Sequence, residues 1–171
     1  MKRKSDYTIS FAGLKTGHHL FDFKIDDAFF EELDYSLVQK GNIDVSVDLE
    51  KKETMLILFF HIEGVIESEC NLCADSVDFE IKNSFKLIYK FGIEEIDDEA
   101  IVVIHPDSYQ IDVTQPIYEF ITVSLPARII HKDGMCNKEM IESLNKYLFS
   151  KKAEPQIGNV DPRWAALKNL N

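Results

Sequence analysis

The sequence predicts an α+β protein: an antiparallel sheet, open or barrel-like, over about residues 42–105, with helices packed at one end and a C-terminal helix. Two runs flanking Cys70 carry most of this inference. Leu56, Leu58, Phe60, Ile62 and Ile66 fall on alternate positions before it, with Gly64 as the gap, and Val77, Phe79, Ile81, Phe85, Leu87, Tyr89 and Phe91 do so after it. A period of two places side chains on one face of a strand. Asp78, Glu80, Lys82, Lys86 and Lys90 fill the intervening positions of the second run, so that strand has one wet face, as in an antiparallel hairpin. Beyond residue 112 the apolar spacing turns helical and acquires start and stop signals.

Along the chain, Phe21, Phe23 and Ile25 alternate as a strand, and His18-His19 beside Gly17 read as a turn. Asp26 or Asp27 caps a short helix over 28–33. Ile43, Val45, Val47 and Leu49 alternate with Asp44, Ser46 and Asp48, giving a first meander strand over 42–50, followed by 54–69 and 76–91. The acidic run 94–99 lacks the alternating oxygen ligands and glycine of a calcium loop and reads as solvated loop. A short strand over 100–105 follows. Asp112 and Thr114 are candidate caps, with Pro116 in the first turn, for a helix that closes at Leu125-Pro126. A second helix runs from about 137 to 149, with Met140, Ile141, Leu144, Tyr147 and Leu148 on one stripe. After a polar linker, Asp161 caps and Pro162 opens a tail helix with Trp164, Leu167 and Leu170 on its apolar side.

A chain of 171 residues, 45% hydrophobic, suits one globular domain over 1–171, long enough to bury about 70% of its unfolded surface. No apolar run reaches a membrane span and no secretory leader is visible, so a soluble, cytoplasmic protein is expected. Three cysteines in such a chain point to thiols or metal ligands rather than disulfides. The net charge of -11 is concentrated in residues 41–100. A nucleic-acid binder usually carries a basic footprint, and here only local candidates exist. Arg128, His131 and Lys132 form one cluster, and Lys146, Lys151 and Lys152 a second; Arg163 and Trp164 of the tail helix complete the candidate contact residues.

The chemistry lies in cysteine and histidine. Cys70 and Cys73 stand in Cys-x-x-Cys spacing, which lets two thiolates converge on one tetrahedral ion. His131 and Cys136, five residues apart, complete a three-sulfur, one-nitrogen set if the fold brings them to the hairpin tip. Such a site is closed by four protein ligands, which makes zinc a candidate structural cofactor and leaves no position for a catalytic water. The alternative is a thiol redox pair, although Glu69 and Asp75 flank the motif with charge that disfavours a thiolate. No phosphate-binding glycine loop, nucleophile elbow or His-Glu-x-x-His motif is present.

Several of these features together resemble the YceD-like proteins, a family associated with accumulation of 23S ribosomal RNA. They are Glu69-Cys70-Asn71-Leu72-Cys73 after a long strand, the helix from Asp112 to Leu125-Pro126, His131 with Cys136, and Asp161-Pro162-Arg163 with Leu167 and Leu170. Order and spacing agree over about residues 40–171. Asn71-Leu72 stand where a basic residue is common in that family. The resemblance implies a non-enzymatic factor in large-subunit RNA accumulation, without catalytic residues. Its implied partners are a ribosomal precursor particle, ribosomal RNA or basic ribosomal proteins, with no membrane and no small-molecule substrate. A third reading is a protein-interaction module that docks through the Trp164 helix.

Overall fold

The computed structural model describes residues 7–93, 98 and 101–149. In chain order the elements are β1 (Thr8–Ser10), β2 (Gly17–Ile25), α1 (Asp27–Glu31), β3 (Lys40–Lys51), β4 (Met55–Glu69), β5 (Ser76–Phe91), β6 (Ile101–Ile104), β7 (Gln110–Asp112), α2 (Thr114–Ser124) and α3 (Lys138–Phe149). The α+β class is as expected. The main sheet has five strands in the order β2-β3-β4-β5-β6 and is not closed into a barrel, since β2 and β6 do not pair. Only β6 departs from the antiparallel pattern, lying parallel to β5.

Binary patterning decides which face is buried. Val45, Val47 and Leu49 stand opposite Ile62, Phe60 and Leu58, and Phe60, Leu58 and Leu56 stand opposite Phe85, Leu87 and Tyr89. Cross-strand apolar pairs of this kind are the unit from which one sheet face is stabilised. Helix α2 covers this face with Ile117, Ile121 and Phe120. The Phe120 ring lies 5.0 Å from Phe60 and stacks on Phe85 at 4.5 Å between centroids. A second, two-stranded sheet of β1 and β7 contributes Ile9 and Ile111 to the same core. The opposite face of the main sheet carries the charged and polar half of each alternation, including Asp44, Glu63 and Lys82.

Two expectations are corrected in detail, and one capping expectation is met. His18 and His19 belong to β2 rather than to a turn; His18 Nδ1 lies 3.1 Å from the Asp48 carboxylate and His19 Nε2 2.8 Å from the Lys15 carbonyl. Asp26 makes no capping side-chain bond at α1, and Asp27 instead accepts the Gly41 N–H at 2.9 Å, tying α1 to β3. At α2 the Asp112 carboxylate accepts the Thr114 N–H at 2.8 Å, satisfying one of the donors a helix start leaves open. The tail helix and the polar linker lie outside the described residues, as does all of the acidic run except Asp98.

Candidate metal centre

The β4–β5 hairpin tip is a tight knuckle. The Ala74 N–H donates to the Cys70 carbonyl at 2.9 Å, and the Cys70 N–H donates to the Asp75 carbonyl at 2.8 Å. This turn swings both thiols to one side and forces Ala74 to φ 62°, the left-handed region where a Cβ is strained. Because Ala74 is exposed, its methyl gains little packing in return. Ala74→Gly is therefore expected to stabilise the protein by about 1 kcal/mol, read as a rise in the denaturation midpoint. Equal or lower stability would show that the strain is not felt.

The second half of the site arrives through Asn71. Its N–H donates to the Ile129 carbonyl at 2.8 Å, and its side-chain Oδ1 accepts the Ile129 N–H at 2.6 Å. One residue thus satisfies both backbone groups of Ile129 and pins the segment after α2 to the knuckle. Two residues on, His131 reaches the thiols. Its Nε2 lies 3.0 Å from the Ser76 carbonyl, which can only accept, so Nε2 carries the proton and Nδ1 faces inward with its lone pair. Asn137 then starts α3, its Oδ1 accepting the N–H groups of Glu139 and Met140, while its Nδ2 donates to Asp75 at 3.3 Å.

The result is a cluster in which one donor atom from each of Cys70, Cys73, His131 and Cys136 lies within 4.8 Å of every other. Cys70 and Cys136 sulfurs are 3.9 Å apart, and His131 Nδ1 is 3.4 Å from Cys73 and 3.8 Å from Cys136. A tetrahedron with metal–sulfur bonds near 2.3 Å has sulfur–sulfur edges of about 3.8 Å. The donor set therefore fits zinc in both chemistry and size. Cys70 and Cys73 are 2% and 1% exposed, which excludes a fifth, external ligand from their side.

Electrostatics prepare the same site. Burial opposes ionisation of Cys70, but hydrogen bonds from the backbone of Cys73, His131 and Leu72, with one from the His131 ring when both its nitrogens carry protons, outweigh it and bring the thiol down to about 5. Burial pushes Cys136 up to about 11, and its hydrogen bonds to Cys70 and Cys73 add to the rise. The His131 imidazole is raised chiefly by its hydrogen bond to Cys70, burial notwithstanding, with help from the Ser76 carbonyl and Asp75.

Sequence spacing identified all four candidate ligands. It missed Asn71, Ser76 and Asp75, whose hydrogen bonds orient them, and no local spacing signals them. Of the candidate contact residues, Arg128, Lys132 and Lys146 are exposed and make no ion pair among the described residues. Lys151, Lys152, Arg163 and Trp164 lie outside the described residues.

A family model described as large ribosomal RNA subunit accumulation protein YceD matches residues 58–171. That stretch contains the knuckle, α2, His131, Cys136 and α3. No curated protein and no solved structure matches the chain.

Proposed function

This chain belongs to the YceD family, and from that premise we propose that it is a non-enzymatic, cytoplasmic factor in large-subunit ribosomal RNA accumulation whose Cys70, Cys73, His131 and Cys136 hold a structural zinc. The observation that carries the reading is the closed four-donor cluster inside the family-matched segment. Four protein donors complete a tetrahedron, so a metal bound there joins chain segments rather than activating a substrate. The thiol redox alternative requires a nucleophile that a disulfide can reach. Burial of Cys70 and Cys73 opposes it, despite the lowered pKa of Cys70.

The factor meets large-subunit precursor particles through two surfaces of opposite charge. The acidic wet face within residues 44–99 takes basic ribosomal proteins. The face from Arg128 to Lys152, with Arg163 and Trp164 of the tail, takes RNA. The test is gradient sedimentation of cell extract. The parent protein is expected to travel with large-subunit precursors, and a variant neutralised at Asp44, Asp48, Glu63, Arg128, Lys132 and Lys146 is expected to stay at the top of the gradient. Unchanged association of that variant would overturn both surfaces, and failure of the parent to associate would overturn the assembly role. No helix among the described residues is long and apolar enough to cross a membrane.

A further inference from the structure

The main sheet has two edge strands, β2 and β6, and β2 is the longer. Along its nine residues it pairs only with β3, and no other backbone hydrogen bond reaches residues 17–25 among the described residues. Natural edges are blunted by proline, a bulge, charged side chains or a covering segment, and of these β2 carries charge, in Asp22 and Lys24. This one has no proline, and its register with β3 runs without a break from Gly17 to Ile25. The two sides of β2 also look unfinished. On the core side Phe21 and Phe23 are only half-buried, and on the wet side Leu20 is 72% exposed.

The charge beside this edge selects its occupant. On the wet side β2 and β3 carry Asp22, Asp44, Asp48 and Glu50. Lys24 reaches Asp44 at 3.7 Å, Lys52 reaches Glu50 at 3.2 Å, and His18 bonds Asp48. Asp22 has no ion-pair partner among the described residues. A second copy of the chain would bring another charge of -11 to the same edge, against mutual repulsion. An extended segment with cationic side chains on one face and apolar ones on the other meets every feature. Its apolar side chains would finish covering Phe21 and Phe23. Its arginine or lysine stems would lie over Leu20, with their charged heads at Asp22 and Asp48.

We propose that β2 is a docking edge for an extended basic polypeptide segment, which adds to the main sheet as a sixth strand. This rests on the reading above, in which basic ribosomal proteins are partners, and it names where and how one of them binds.

The probe is a fluorescent ten-residue peptide of alternating arginine and valine, titrated into the full chain and followed by anisotropy. Two further peptides carry N-methyl groups on every arginine or on every valine. A strand presents successive N–H groups to opposite edges, so one methylated peptide should bind like the parent peptide and the other at least tenfold more weakly. Asp22→Lys with Asp48→Lys should weaken the parent peptide at least tenfold. Equal binding of both methylated peptides would reduce the contact to charge alone and overturn strand addition, as would no binding of the unmethylated peptide. The sedimentation experiment is read separately: if the parent protein still travels with precursor particles while the peptide test fails, the docking edge is wrong and the assembly role stands.

Discussion

Protein purified without chelator is expected to contain one zinc per chain, and Cys70→Ser and Cys136→Ser are each expected to lose it. The two residues belong to segments that meet only in the folded chain, so loss from both variants would join the halves of the site through one ion. A lost ligand should cost more than about a hundredfold in affinity, the upper end of what losing an outer hydrogen bond costs. The structural consequence should be local. Cys70, Cys73 and Ile129 are buried, yet none belongs to the main hydrophobic core, which closes around Phe60, Ile117 and Ile121 without them. Helix α3 is largely exposed along Met140, Tyr147 and Leu148, and it is tied to the knuckle through Cys136 and Asn137. Removing the metal should therefore strip hydrogen-exchange protection from residues 129–149 while the amides of β3, β4 and β5 keep theirs. Zinc must displace protons from Cys136, raised to about 11, and from any protonated His131, so affinity should fall as pH falls. Zinc-free protein with the same protection pattern, or variants that retain the ion, would mean that the cluster is not a clamp.

How much of this was legible in the chain depended on what each residue had to choose between. Strands β3, β4 and β5 could be read because water on one face and core on the other impose a period of two over 12 to 16 residues. Strands β1 and β7 could not. Each is three residues long with a single buried side chain, and they find one another across about a hundred residues of sequence. The direction of β6 was equally hidden, since alternation is the same in parallel and antiparallel strands. His18 and His19 were misread because Gly17 announced a turn, whereas β2 starts there and His18 is held by Asp48 across the sheet. At the site, the identity of the four donors followed from residue chemistry. That they meet follows from Asn71, whose side-chain oxygen accepts the Ile129 N–H while its own backbone N–H donates to the Ile129 C=O. Nothing in local spacing encodes that contact.

Gly64→Ala is expected to be the most destabilising single-methyl change in the sheet, costing about 3 kcal/mol or more. Gly64 lies in the core-facing row of β4, between Ile43 of β3 and Ile81 of β5. A Cβ there would sit 2.4 Å from the Asn42 carbonyl oxygen and 2.6 Å from the Ile43 Cα, both backbone atoms that cannot rotate away. The missing side chain lets the β3 backbone approach β4 closely, which is a usual reason for glycine inside a strand. To admit a methyl group, β3 must move, and with it Ile43, which is fully buried, and Gly41, whose N–H is bonded to Asp27. The disturbance therefore spreads to α1 rather than staying at one residue. At about 2–4 °C per kcal/mol for a chain of this size, the melting temperature should drop by roughly 10 °C. Gly13→Ala supplies the control: nothing lies within 4 Å of its added Cβ, so the same chemical change should leave stability within about 1 kcal/mol of the parent. If both variants melt together, the close approach of β3 to β4 at Gly64 is not what shapes the sheet.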